Sequence, residues 1–340
     1  MAEPKRINLA LQGGGAHGAF TWGVLDRLLE EDGIEVAGIS GTSAGALNGA
    51  AYKSGWLQGG RDGARENLDW LWGRMGALED VRLPGWMSGF LPRPGAVSDT
   101  IELSPPYMAA DALSRMMSPY AYGPFYSNPL ERVVAQFSYD RVCARQGPAF
   151  FVGATNVHTG KIRIFEGDAI TTQSLLASAC LPTLFQAVEI DGAHYWDGGY
   201  SGNPALFPLF KPDLPADIVI VNINPLERED VPTTPQDIQN RINEISFNAS
   251  LLRELRAINF VQDLLDQGTV EEGRMKRLHI HMIADDALMR DLSVATKLVP
   301  TPYILSRLKE AGRAAADRFL SEHGDALNQR GTIDLARTYG

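Results

Sequence analysis

Two turns joined by a single helix constrain this chain more than any other feature. An apolar run, Ile7-Asn8-Leu9-Ala10-Leu11, leads into Gln12-Gly13-Gly14-Gly15-Ala16-His17-Gly18. An amphipathic segment follows from Ala19 to Glu31, then a second apolar run, Val36 to Ile39, and then Ser40-Gly41-Thr42-Ser43-Ala44-Gly45-Ala46-Leu47. The order reads strand, glycine loop, helix, strand, sharp turn, helix. Such an order sets both turns side by side at one edge of a parallel sheet.

The second turn, Gly41-Thr42-Ser43-Ala44-Gly45, has the G-x-S-x-G spacing of a nucleophile elbow. A serine there projects its hydroxyl from the end of the sheet, and side chains two positions either side would collide. Ser43 also opens a helix, whose positive end favours an oxyanion. The first turn supplies a different part. Its glycines let backbone N–H groups point into a cavity, as stabilisation of a tetrahedral intermediate requires. Gly14, Gly15 and Ala16 are the expected donors. Gly13 to Gly18 also reads as G-x-G-x-x-G, the dinucleotide fingerprint. That reading wants an acidic residue at the end of the next strand, where this chain has Ser40-Gly41-Thr42-Ser43.

The chain has 340 residues, 44% hydrophobic and 21% charged, which fits one large α/β domain or two small ones. A net charge of −10 argues against a nucleic-acid surface and against docking to anionic lipid by charge alone. Two cysteines, Cys143 and Cys180, make no disulfide framework and no zinc cluster. The polar start, Met1 to Arg6, lacks the pattern of a secretory signal, and no apolar run reaches transmembrane length. A cytoplasmic protein, with peripheral membrane contact allowed, is the expectation.

Helical spacing places Phe20, Val24, Leu25, Leu28 and Leu29 on one side of the first helix. Gly59-Gly60 should end the helix that starts at Ser43, with another from Glu66 to Met75. From about 81 to 127 the chain is proline-rich and apolar, with Trp86, Met87, Phe90, Met116, Met117, Tyr120 and Phe125. Its prolines argue against long regular structure. Packing on the core and a greasy lid for acyl chains are both open for this insertion. Asn128 to Phe137 and Thr172 to Ala179 read as helices. Phe150 to Thr155 and Lys161 to Phe165 read as a hairpin, and Asp191-Gly192 as a tight turn between two short strands. Asp217 to Asn224 and Leu278 to Ile283 read as core strands. Asp237 to Leu265, Met289 to Leu298 and Tyr303 to His323 read as helices. Residues 1–225 are expected to form the catalytic domain and 226–340 a mainly helical extension packed on it.

A further glycine turn, Trp196-Asp197-Gly198-Gly199-Tyr200, follows a short strand. Its carboxylate is a candidate base for Ser43. Taken together, Gly13 to Gly18, Gly41 to Gly45 and Asp197-Gly198-Gly199 resemble the patatin-like phospholipase family. Asn128-Pro129-Leu130, Ala154-Thr155-Asn156 with Thr159-Gly160, and Ala177 to Pro182 add to the likeness, which spans roughly Ile7 to Asn224. The resemblance implies an α/β fold: a three-layer α/β/α sandwich on a mainly parallel sheet, followed here by C-terminal helices. It implies a Ser-Asp dyad with no histidine. Carried over, Ser43 is the nucleophile, Asp197 the base, and Gly13, Gly14 and Gly15 belong to the oxyanion loop. Gly18, Gly41, Gly45, Gly198 and Gly199 support the motifs. The family often has Arg or Lys where this chain has His17, and a neutral histidine there weakens the positive field.

Three readings compete with a Ser-Asp hydrolase. A Ser-His-Asp hydrolase would draw on His279, His281 or His323, which follow Asp197 in chain order. His279 and His281 could hold a metal, but lack further ligands nearby in sequence. A scaffold that binds lipid without turnover would keep the fold and lose the chemistry. The reading that the family resemblance implies, and that the apolar insertion suits, is hydrolysis of phospholipid or lysophospholipid esters through an acyl-enzyme, with no metal or cofactor. Other acyl esters or a polyester are alternative substrates, and a homo-oligomer is allowed.

Overall fold

The computed structural model describes residues 3–76, 94–271 and 273–339. Its centre is an eight-stranded sheet. Four connections are parallel: β1 (Lys5–Leu11) to β2 (Ile34–Thr42) and to β7 (Asp217–Val221), β2 to β3 (Ala149–Asn156), and β7 to β8 (His279–Ile283). The remaining pairings are antiparallel. β4 (Ile162–Glu166) and β6 (Ala193–Asp197) both join β3, and β5 (Val188–Ile190) joins β6. The strand order is β5-β6-β3-β2-β1-β7-β8, with β4 on the side of β3 away from β2.

Strand alternation splits the core into two layers. Ile7, Leu9 and Leu11 of β1 and Val219 and Val221 of β7 bury on one face. Ala10, Ile218 and Ile220 bury on the other. The first face is covered by α1 (Gly18–Leu28), α2 (Ala44–Arg74) and later helices. α2 is interrupted by non-helical Gly59 and Gly60, at the place where the glycine pair predicts a break.

The 94–126 region departs from expectation. It holds two helices, α3 (Pro94–Glu102) and α4 (Pro105–Met116), because its prolines stand in first turns, where the missing N–H is no loss. Leu103, Met108 and Met116 are 73%, 56% and 84% exposed, so these side chains are not core. The Tyr120 and Tyr126 hydroxyls accept the N–H groups of Ala187 and Gln186, tying this region to the segment before β5. The apolar stretch around Trp86, Met87 and Phe90 lies outside the described residues.

Of Asn128 to Phe137 only α5 (Glu131–Val134) is α-helical, followed by α6 (Tyr139–Val142). α7 (Thr172–Ser178) starts from a capping box in which Thr171 and Ser174 exchange side-chain and backbone bonds. The expected single helix over Met289 to Leu298 is two, α9 (Asp286–Arg290) and α10 (Val294–Leu298). Ser293 separates them, capping the second by accepting the Ala295 N–H.

Residues beyond 226 cover both faces of the sheet and add edge strand β8. α8 (Pro235–Asp266) brings Leu251, Leu255 and Ile258 to the second face, joined by Leu335 of the short α12 (Leu335–Tyr339). α11 (Pro302–His323) crosses α1 through two glycines. A Cβ on Gly23 or on Gly312 would come within 2.0 Å of the opposing backbone. No helix among the described residues is long and apolar enough to cross a membrane.

Candidate active site

The site forms where two strands of opposite direction end on the same edge of β3. Thr42, the last residue of β2, pairs with Gly153. The next residue of β3, Ala154, pairs with Asp197, the last residue of β6. β4 occupies the other edge of β3 over these positions, so β2 and β6 must share one edge and meet end to end. Ser43 leaves the sheet at this junction from one side and Asp197 from the other. Residues far apart in sequence are thereby delivered to one point by backbone hydrogen bonding alone.

Ser43 has φ 53° and ψ −123°, a left-handed conformation that a residue with a Cβ adopts only when its surroundings enforce it. The enforcement is visible. Its N–H donates to Ser178 Oγ at 2.9 Å, and the Ser178 hydroxyl donates to the Gly153 carbonyl at 2.7 Å. Gly41 and Gly45 touch across the elbow, and a Cβ on Gly45 would lie 2.1 Å from the Leu11 carbonyl. The first bond of the following helix runs from the Leu47 N–H to Ser43 O at 3.1 Å. The N–H groups of Ala44 to Ala46 precede that bond and have no partner among the described residues.

The glycine loop closes over the elbow. A Cβ on Gly13 would sit 2.7 Å from that of Ser43, and one on Gly18 the same distance from that of Ala44. Gly15 has φ +58°, and a Cβ there would lie 2.4 Å from the Lys297 carbonyl of α10. The Gly13 N–H donates to Asn203 Oδ1 at 2.6 Å, while Asn203 Nδ2 and Asn224 Nδ2 donate to the Gly13 carbonyl at 3.3 and 2.9 Å. Gln12 Oε1 accepts from the N–H groups of Ile223 and Asn224, and Gln12 Nε2 reaches Asn203 O and Asn248 Oδ1. This carboxamide clamp consumes the Gly13 donor. The N–H groups of Gly14, Gly15 and Ala16 have no partner among the described residues.

Asp197 is 1% exposed. Its Oδ1 accepts the Gly199 N–H at 2.8 Å, and its Oδ2 has no partner among the described residues. Burial pushes its pKa up to about 7, against the opposing pull of the Gly199 N–H and the Ser43 hydroxyl. That pull marks Ser43 as a neighbour of the carboxyl, although no hydrogen bond of ordinary geometry joins the two. Gly198 and Gly199 clear space around it. A Cβ on the first would lie 2.3 Å from the Gly153 carbonyl, and one on the second 2.3 Å from the Phe247 ring.

Every histidine makes its contacts elsewhere. His17 is buried, its Nε2 2.8 Å from Thr296 Oγ1, and burial together with the Lys297 charge holds it neutral. His158 and His194 face each other near the surface. His279 and His281 bond Asp217 at the opposite end of the sheet, and His323 lies against Phe319. No group of three potential metal ligands occurs among the described residues. A cavity of about 590 Å³ between α6 and α7, lined by Tyr139, Cys143 and Thr172, includes none of the site residues.

A family model described as patatin-like phospholipase matches residues 9–210. The chain belongs to the patatin-like phospholipase family. It is in that sense a lipid hydrolase. The matched span runs from β1 past Asp197 and Asn203, so it includes both turns, the β2–β6 junction and most of the clamp. Among solved structures, VipD from Legionella pneumophila is 14% identical, with 94% of this chain and 67% of that one covered and a TM-score of 0.45. ExoU in its heterodimeric complex with SpcU, from the type III secretion system of Pseudomonas aeruginosa, is 16% identical, with 96% and 62% covered and a TM-score of 0.31. The chain thus spans about two thirds of the length of these neighbours. No curated protein is significantly similar to it.

Sequence reasoning named Ser43, Asp197 and the glycines but missed Ser178, Asn203, Asn224 and Gln12. Ser178 stands in the stretch from Ala177 to Pro182 that supports the family resemblance, and Asn203, six residues after Asp197, precedes Pro204. Neither context signals a hydrogen bond to a turn more than a hundred residues away.

Proposed function

We propose that this patatin-like protein hydrolyses carboxylic esters of phospholipids or lysophospholipids through a Ser43–Asp197 dyad and an acyl-enzyme. The observation that carries the reading is the end-to-end meeting of β2 and β6 on β3, which sets a strained serine beside a buried carboxyl with one free oxygen. Asp197 Oδ2 takes the Ser43 hydroxyl proton as Ser43 Oγ attacks the ester carbonyl. Bonds of this kind are often long before substrate binds and tighten in the reacting complex.

The developing oxyanion faces the free N–H groups of Gly14, Gly15 and Ala16 and the start of α2. Collapse expels the alcohol or lysolipid, which leaves with the proton from Asp197. Water then adds to the acyl-enzyme carbonyl, giving its proton to the same carboxylate; collapse breaks the bond to Ser43 Oγ, which takes that proton back from Asp197 as the acid departs. A buried carboxyl with pKa about 7 is a far better proton acceptor than an ordinary aspartate, which suits a dyad with no imidazole. The exposed Leu103, Met108 and Met116 offer an apolar surface of the kind a lipid substrate favours.

The test is hydrolysis of p-nitrophenyl esters and of a mixed phospholipid panel, with products read by mass spectrometry. The reading expects turnover by the wild type, resistance to EDTA, covalent trapping of Ser43 by a fluorophosphonate, and loss of both signals in Ser43→Ala. Trapping that persists in Ser43→Ala would overturn it.

A further inference from the structure

A second concavity lies beside the Asp197 loop and is not used by the chemistry above. It has a volume of about 430 Å³ between α8, the β3–β4 turn and the residues that follow Asp197. On α8 its wall is Ser246, Ala249, Ser250 and Arg253. Those positions are spaced i, i+3, i+4 and i+7, so they form one stripe along a helix face. Opposite them stand Tyr200 and Ser201.

The stripe is rich in donors. The Arg253 guanidinium, the Ser246 hydroxyl and the Tyr200 hydroxyl have no hydrogen-bond or ion-pair partner among the described residues. Ser250 Oγ accepts the Asn203 N–H at 3.1 Å, and its own proton has no acceptor among those residues. Tyr200 keeps its proton at neutral pH, because burial and the nearby Asp197 push its pKa up to about 12. No carboxylate lines the cavity, in a chain that carries 41 acidic residues against 31 basic ones. A guanidinium and three hydroxyls converging on one space, with no acid among them, suit an anion with several oxygens. His17, held neutral, supplies no such charge at the glycine loop.

We infer that this cavity binds a phosphate group. Resting on the ester-hydrolase reading, the phosphate is either that of the lipid headgroup or free inorganic phosphate. Its place beside Asp197 gives either ligand a route to the chemistry. The α8 face that forms the wall continues into Phe247, whose ring covers Gly199, and the Gly199 N–H holds Asp197 Oδ1.

The test compares the full-length wild type with Arg253→Gln. Arg253 is solvent-exposed, so this exchange leaves the fold in place. Inorganic phosphate and glycerol 3-phosphate are titrated calorimetrically. Lysophosphatidylglycerol and monoacylglycerol are compared as substrates. The expectation is phosphate binding that weakens by about tenfold in Arg253→Gln. If the headgroup is the source, the ratio of the two KM values rises by about the same factor. If free phosphate is the source, that ratio holds, and phosphate alters the wild-type rate on p-nitrophenyl butyrate but not that of the variant. No phosphate binding to the wild type, or equal binding by both proteins, overturns the site. Arg253-dependent binding without turnover of any ester overturns the hydrolase reading and leaves the site standing.

Discussion

Two aspartates, Asp197 and Asp217, are each only 1% exposed and sit at opposite ends of the same sheet, yet their pKa values are shifted in opposite directions. Asp217 opens β7. It accepts from His279 Nδ1 at 3.1 Å, His281 Nε2 at 3.0 Å, the Asn328 N–H at 2.8 Å and Asn328 Nδ2 at 3.2 Å. Burial opposes its ionisation, but these donors win and hold its pKa below the usual carboxylate range. Asp197 closes β6, accepts one hydrogen bond of ordinary geometry and has one oxygen without a partner among the described residues, so burial outweighs the pull of Gly199 and Ser43 and its pKa rises to about 7. Burial pushes both values up, and harder at Asp197, so the sign turns on whether the donors outweigh it, as they do only at Asp217. The saturated carboxylate ties the C-terminal segment to the sheet. The undersupplied one is left able to take a proton.

The largest consequence is for activity. Asp197→Asn should lower kcat/KM for a p-nitrophenyl ester by about 10³- to 10⁴-fold, as loss of a member of a serine hydrolase's catalytic set does. Asp217→Asn should leave kcat/KM within a few-fold. Similar losses from both variants in a steady-state assay would erase the distinction. In the wild type the proposed dyad makes kcat/KM rise with pH through about 7, because Asp197 can serve as its base only when ionised.

Stability should rank the pair the other way. Asp217→Asn turns an amide toward four donors and should cost about 3 kcal/mol in chemical denaturation at neutral pH. The folded pKa of Asp217 is lowered, so its contribution is present above the ordinary carboxylate range and is lost as pH falls through the folded value.

Asp197 has the opposite linkage. Its folded pKa is raised from 3.8 to about 7, so ionisation destabilises the fold increasingly across that window and by a constant amount above it. At about 1.4 kcal/mol per unit the ceiling is on the order of 4 kcal/mol. The same burial penalises an amide, so Asp197→Asn should gain about 2 kcal/mol at pH 8 and nothing near pH 4. Urea titrations at the two pH values read the difference.

Much of this arrangement is legible in the sequence, for reasons specific to each part. Parallel strands buried on both faces read as unbroken apolar runs, which is why Ile7 to Leu11, Val36 to Ile39 and Asp217 to Asn224 stand out. The glycines of the two turns stand out because close backbone approach admits nothing larger. The junction of β2 with β6 does not. Nothing local to Ala193–Asp197 says which edge of β3 it will join, and a strand on the other edge would carry Asp197 away from Ser43. The prolines at 94, 105 and 106 mislead for a related reason, since proline forbids the interior of a helix and favours its first turn. The clamp from Gln12, Asn203 and Asn224 is a set of tertiary contacts between ordinary polar residues. The four donors of Asp217 are hidden in the same way.

Ser178 offers the smallest and sharpest test, because it holds the backbone of the candidate nucleophile and has no part in the proposed proton transfers. Its hydroxyl bridges the Ser43 N–H and the Gly153 carbonyl, and so holds the serine at φ 53° against a strain on the order of 1–3 kcal/mol. Ser178→Ala leaves both groups buried and unmet, which should cost about 1 kcal/mol in stability. Asn328→Ala should cost at least as much at the other end, by removing the Nδ2 donor from Asp217 and both side-chain bonds to the Arg6 backbone at a residue with φ 63°, while its own backbone N–H stays on Asp217. The two variants should part in kinetics. With Ser43 free to relax, kcat for Ser178→Ala should fall about three- to tenfold with KM little changed, the pattern of a group misplaced in the transition state alone. Asn328→Ala should leave kcat where it was. If kcat follows stability equally in both, the backbone of Ser43 is held by the glycine contacts alone, and the Ser178 bridge is only a solution to two buried polar groups.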